Sequence, residues 1–178
     1  MITNDHIATV TDHYLSTYPE DTPELQPLLA ALDSNDGPLA TRSRLTGHVT
    51  ASGYVLDNDG RVLLIRHRAL GKLIQPGGHT EPDDSSLIAA AQREVREETG
   101  LSDITPIAKE PIHIDAHRIP HSEAKNEPAH WHFDYRYAFN LTADTAAIEL
   151  QTDEVSAFTW MPLTDLDGAP YERLHQLT

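Results

Sequence analysis

Apolar side chains recur along the chain at two spacings, and the change between them divides it into two parts. Ile7, Val10 and Tyr14 follow a helical period, and Leu25, Leu28, Leu29 and Leu32 follow it again. Pro19 and Pro23 separate the two runs, while Pro27 fits a first helical turn, where its missing N–H donor costs little. Ser34-Asn35-Asp36-Gly37-Pro38 then reads as a turn, followed by a linker that carries Arg42 and Arg44. These spacings predict a helical extension over 1–40, appended to a domain over 41–178. The short apolar stripes of the extension suit either a homodimer interface or a cover for that domain.

From His48 onward the period shortens to two. Residues 49–56 and 61–66 predict a pair of strands around the turn Asp57-Asn58-Asp59-Gly60. A helix over 85–99 follows Pro76-Gly77-Gly78, with Asp84 or Ser85 as its cap and Gly100 as its terminator. Leu87, Ala91 and Val95 form its packed stripe. Further strands are expected over 112–116, 131–140 and 157–161, with a loop over 117–129 and a short last helix near Leu163. Strands enclosing a central helix, with another helix after the last strand, predict an α/β sandwich.

Composition narrows the class. The chain has 178 residues, enough for one substantial core. With 39% hydrophobic and 23% charged residues it fits an ordered domain rather than an acidic tail. Lys and Arg number 13 against 28 Asp and Glu, a formal net charge of −15 that argues against a nucleic-acid polymer or an anionic membrane surface as partner. A small polyanionic substrate stays compatible if metal cations neutralise part of its site. No run approaches the roughly 18 apolar residues needed to span a bilayer, and no basic, then apolar, leader follows Met1, so a cytoplasmic protein is expected. The absence of cysteine removes thiolate catalysis and thiolate-bound zinc and leaves histidine and carboxylate chemistry.

That chemistry is densest in the predicted helix and just ahead of it. Glu94 and Glu98 lie one turn apart on one face, with Glu97 at its border. Exposed like charges so placed cost a few tenths of a kcal/mol per pair, roughly, unless a cation resides between them. Solvated acidic helix faces show the same arrangement, so the carboxylates alone do not decide. The paired glycines shift the balance, because they let the backbone approach closely and bring a carbonyl oxygen beside the carboxylates. Such oxygen donors suit Mg²⁺ or Mn²⁺. Arg93, one turn before Glu97, is also placed to turn back toward Asp83 or Asp84 and brace the glycine loop.

Arg93, Glu94, Val95, Glu97, Glu98, Gly100 and Leu101, preceded by Pro76-Gly77-Gly78, closely resemble the signature of the Nudix hydrolase family. The resemblance implies an α/β/α sandwich with a mixed sheet, and Mg²⁺- or Mn²⁺-dependent hydrolysis of a pyrophosphate bond in a nucleoside diphosphate linked to another group. It implies that Glu94, Glu97 and Glu98 hold the metal, that Gly78 adds a backbone oxygen, that Arg93 is structural, and that Glu97 or Glu98 orients or deprotonates the attacking water. One position departs from the pattern: Asp84 lies six residues after Gly78 but nine before Arg93, one more than the family spacing, so a bulge or extra residue is expected ahead of the helix. The alternative is a catalytically weak or inactive nucleotide-binding or regulatory module on the same fold, against which the intact glutamates weigh. A related family isomerises diphosphates on a similar fold with a cysteine that this chain lacks.

Five of the eleven histidines lie between His113 and His132. His113, Asp115 and His117 alternate, as do His130, His132 and Asp134, so each trio occupies one strand face, with Trp131, Phe133 and Tyr135 on the opposite, core-facing row. Such imidazoles cover a solvent edge, contact substrate or act as a base, or form a second metal site. Arg66, His79, His130 and His132 are the candidate contacts to a small phosphorylated substrate, and His67, Arg68 and Lys72 complete a positive patch. Glu123, Glu127 and Glu154 are the candidates for a further carboxylate at the metal, and spacing does not choose among them. Trp160 suits core closure better than base stacking.

Overall fold

A computed structural model describes residues 1–34, 36–123, 126–142 and 148–178. Helix α1 (Asn4–Thr17) starts at Thr3, whose hydroxyl accepts the His6 N–H, and a 3-10 turn (Pro19–Asp21) leads into α2 (Gln26–Asp33). Then follow β1 (Gly47–Leu56), β2 (Arg61–His67), β3 (Leu73–Ile74), β4 (Gly77–His79), α3 (Leu87–Thr99), β5 (Ile104–Pro106), β6 (His113–Ile119), β7 (His130–Leu141) and β8 (Val155–Pro162). A second 3-10 turn (Leu163–Asp165) and α4 (Ala169–Leu177) follow β8.

β1 is the spine of the sheet. It runs parallel to β7 from Gly47↔Trp131 to Leu56↔Asn140, meets β2 antiparallel beside the turn at Leu56↔Val62, and takes β4 antiparallel at Thr50, Ala51 and Ser52. β2 diverges from the turn to pair with β8 and β3, and the far edge of β7 takes β6 and then β5. One parallel pair among antiparallel ones makes the sheet mixed.

Alternation along the strands sorts side chains by parity. Val49, Ala51 and Val55 of β1 and Phe133, Tyr135, Tyr137 and Phe139 of β7 face one core, shared with Leu87, Ala90, Ala91 and Val95 of α3. Ile7, Tyr14, Leu25 and Leu28 belong to the same core, so the apolar sides of the first two helices are buried against the rest of the chain. At Gly53 the approach of α3 is closest: a Cβ there would lie 2.7 Å from Val95 Cγ2 and 2.8 Å from the Phe139 ring. On the opposite face Tyr54, Leu56 and Ala138 join Val62, Leu64, Ile112, Leu163 and Leu174 of α4 in a second core. Helices on both faces of a mixed sheet give the α/β/α sandwich.

The two ends of the chain meet. Arg173 of α4 donates through Nη1 to the Tyr14 hydroxyl at 2.5 Å and pairs with Asp21 at 2.8 Å, and its guanidinium lies 3.8 Å over the Tyr18 ring. The Tyr14 hydroxyl in turn donates to Asp21.

Three differences from the sequence expectation have local causes. Helix α3 starts after Ser86, not Asp84 or Ser85, because the Ser86 hydroxyl accepts the Ala89 N–H. β6 continues to Ile119, since β7 offers a partner as far as His130, and the loop is correspondingly shorter. β3, β4 and β5 have two or three residues each and arise from their partners rather than from any pattern of their own. Among the described residues no helix is long and apolar enough to cross a membrane.

Candidate active site

β4 is wedged between β1 and α3, and its glycines make the fit possible. A Cβ on Gly77 would fall 2.2 Å from Ser52 Cβ, and one on Gly78 would fall 2.8 Å from the Glu94 carboxylate. The Gly77 N–H donates to Glu98 Oε2 at 2.8 Å. Glu98 is buried, and Glu94 nearly so. Burial pushes the Glu94 carboxyl up to about 7, with Arg93 opposing and Glu97 and Glu154 adding to the shift. Burial likewise pushes Glu98 up to about 7, against the Gly77 N–H and with the charges of Glu94, Glu154 and Glu97.

Arg93 ties this corner together. Its Nε and Nη2 donate to the two oxygens of Asp84 at 3.1 Å each, and Nη2 also reaches the His79 carbonyl at 2.8 Å. Its Nη1 donates to Glu94 Oε1 at 2.9 Å and to Glu97 Oε2 at 2.8 Å. Burial opposes the guanidinium charge, but these partners outweigh it and hold Arg93 protonated above its ordinary range. Asp84 also accepts the Glu81 N–H at 2.7 Å. The extra residue is therefore absorbed at Ser85, between the Asp84 brace and the Ser86 cap, outside the helix.

The other face of β4 borders a cleft of about 1060 Å³. Its floor is a lattice set by strand register: His79, Thr50, Asp134 and Asp115 align across β4, β1, β7 and β6, and His48, His132 and His117 align in the next row. Asp134 receives Thr50 Oγ1 at 3.1 Å, Ser52 Oγ at 2.8 Å, Gln75 Nε2 at 3.3 Å and Arg136 Nε at 2.9 Å. Asp115 accepts Arg136 Nη2 and pairs with His117 Nδ1, both at 2.7 Å. The His48 ring lies 4.7 Å from His132, 5.0 Å from His130 and 5.1 Å from His79, centroid to centroid. Burial, with the neighbouring His48, pushes His132 down to about 2, and burial with Arg42 pushes His79 down to about 4.

His79, His130 and His132 line the cleft together, and Arg66 is not among its lining residues. Arg66 is exposed and donates to the Gly71 carbonyl at 3.2 Å across the β2–β3 turn. The register of β2 shifts between Arg66 and His67, and the cations that follow the shift, Arg68 and Lys72, line the cleft instead. Of the three later carboxylates, Glu127 and Glu154 both border the cleft, and Glu154 acts electrostatically on both Glu94 and Glu98. Glu127 pairs with Arg42 at 3.2 Å, and Glu123 is exposed. His48, Gln75 and Arg136 escaped sequence reasoning. The parity that placed His130, His132 and Asp134 on one face also places His48, Thr50 and Ser52 on it, a signal available once β1 is extended back to Gly47.

A family model described as NUDIX domain matches residues 46–176. The chain is 30% identical over 156 residues to a Lactococcus lactis subsp. cremoris (strain MG1363) protein named "Probable DHNTP pyrophosphohydrolase", covering 86% of this chain and 85% of that one. Solved structures share the fold. A NUDIX-family hydrolase from Clostridium perfringens has a TM-score of 0.55 at 23% identity, covering 74% of this chain and 98% of its own. The E. coli dihydroneopterin triphosphate pyrophosphohydrolase has 0.55 at 17%, covering 72% and 92%, and a C. elegans Ap4A hydrolase binary complex has 0.53 at 18%, covering 72% and 95%.

Proposed function

Because the chain belongs to the NUDIX domain family, we propose that it is a Mg²⁺- or Mn²⁺-dependent hydrolase of a pyrophosphate bond in a small phosphorylated substrate, a nucleoside diphosphate linked to another group. The observation that carries this reading is the packing of the Gly77–Gly78 backbone on two carboxylates, the nearly buried Glu94 and the buried Glu98, beside a cleft rimmed by Arg68 and Lys72. The donor set consists of hard oxygens, which is the chemistry Mg²⁺ and Mn²⁺ require. Glu94, Glu97, Glu98 and the Gly78 carbonyl would hold the ion. When bound, it offsets charge on the phosphoryl oxygens and lowers the pKa of water.

The chain's own groups then have distinct tasks. Arg93, fixed by Asp84, holds Glu94 and Glu97 at the face of α3. Glu98 has one oxygen committed to the Gly77 N–H; its other oxygen orients the attacking water and accepts its proton. Arg68, Lys72 and His79 bind the phosphates from the cleft side, and His130 and His132 line the same cleft.

The test is turnover with Mg²⁺ or Mn²⁺ across nucleotide sugars, dinucleoside polyphosphates, nucleoside triphosphates and dinucleotide cofactors. DHNTP heads the panel because the Lactococcus relative carries its name. Glu98→Gln keeps the shape of the side chain and is expected to lower kcat by about 10²-fold or more with the fold intact. Unchanged turnover in that variant at saturating metal overturns the assignment.

A further inference from the structure

The cleft holds a second cluster of metal-binding chemistry that the hydrolytic site does not use. Among the described residues, His48, His130 and His132 form a trio in which one ring nitrogen of each lies within 4.8 Å of the others. Strand register builds it: His48 on β1 sits opposite His132 on β7, and His130 precedes His132 on the same face.

The hydrogen bonds fix which nitrogens face inward. His48 Nδ1 lies 3.3 Å from the Arg44 carbonyl and His130 Nδ1 lies 2.8 Å from the Pro128 carbonyl. A carbonyl only accepts, so both Nδ1 atoms carry the proton and, in the neutral rings, both Nε2 atoms present lone pairs. His130 Nε2 meets His132 Nε2 at 3.1 Å. One proton on His132 Nε2 serves that contact. His48 Nε2 is buried and has no hydrogen-bond partner among the described residues. Two acceptor nitrogens, His48 Nε2 and His130 Nε2, thus converge with a single donor proton on His132 Nε2, which already serves His130, and a cation removes the deficit at His48.

We propose that His48, His130 and His132 bind a transition-metal ion of the Zn²⁺ class, at a site separate from the carboxylate face of α3. Tetrahedral Zn–N bonds of about 2.0–2.1 Å separate ligand nitrogens by about 3.3 Å, close to the spacing His130 and His132 already have. Neutral imidazoles suit Zn²⁺, Co²⁺ or Ni²⁺, and Mg²⁺ prefers oxygen. The carbonyls of Arg44 and Pro128 orient the rings as backbone acceptors behind metal-bound histidines do. Three protein ligands leave a fourth position for water or a substrate oxygen.

The experiment titrates the untagged full chain, stripped of metal, with Co²⁺ and follows the visible absorption of the tetrahedral ion. One equivalent is expected to bind, to be displaced by Zn²⁺ and not by Mg²⁺, and to persist in Glu98→Gln. His130→Gln and His132→Gln should each weaken it by about 100-fold or more, at least what loss of an orienting partner costs. His48 is buried, so its variant is read only if circular dichroism shows a native fold; the half-buried His132 carries the test otherwise. Absence of the band, equal affinity in the double variant His130→Gln/His132→Gln, or loss of binding in Glu98→Gln overturns the proposal. Metal binding is read without turnover, so its failure is distinct from failure of the hydrolase assignment.

Discussion

Asp84 and Arg93 grip each other through two N–H···O bonds of 3.1 Å across nine residues of chain. The pair fastens the segment after β4 to the helix that carries the glutamates, and both side chains are largely shielded from water. Removing one partner of a buried pair costs about 3–5 kcal/mol. Asp84→Asn keeps one accepting oxygen, so a loss of roughly 2–3 kcal/mol is expected. Denaturant unfolding checks this, and a midpoint equal to that of the native chain would show that the fork adds nothing to stability.

The two glycines of β4 are expected to fail differently. Gly77→Ala drives a methyl into Ser52 on β1, and overpacking of this kind costs roughly 1–3 kcal/mol, so it should lower Tm. Gly78→Ala meets the Glu94 carboxylate, the movable end of a side chain, and should displace it. Its Tm should change less, while its activity falls by about 10-fold or more as the carboxylate is misplaced. Comparing Tm and kcat for the two variants separates the effects, and an identical pattern would refute the distinction.

His113 gives an acid-stability prediction. It is half-buried, with a buried Nδ1 that has no partner among the described residues, and it is faced by Arg136 of β7, Asp115 of its own strand, Arg173 of α4 and Asp21 of the first 3-10 turn. Burial, reinforced by Arg136, pushes it down to about 4 from 6.5. The unfolded chain therefore takes up the proton first. Its contribution is complete above pH 6.5 and is lost as pH falls toward 4. Allowing for partial screening by water, His113→Gln should shrink the stability difference between about pH 7 and about pH 4.5 by roughly 1–2 kcal/mol. Denaturant titrations at the two pH values measure it, and an unchanged difference would be inconsistent with a neutral native imidazole.

Long periodic segments were legible from the residues alone. The polar row of β7 and its aromatic row were separable by parity before any pairing was known, and Glu94 and Glu98 one turn apart marked α3. Arg66 was not legible as a turn residue, because the shift after it depends on how β2 meets β8. Whether Asp84 reaches Arg93 depended on how one extra residue is spread between brace and cap, which is a three-dimensional matter. His48 joins the other histidines only through a parallel strand more than eighty positions away, a relation that local pattern does not carry.

The contact of Arg173 with Tyr14 and Asp21 sets an order on biosynthesis. Helix α1 is synthesised well before α4, and the cation that completes its polar cluster lies 159 residues after Tyr14. The polar cluster is completed only once α4 has emerged. Docking of the first helices is thus a late event relative to their own synthesis, secured by a helix made long after them.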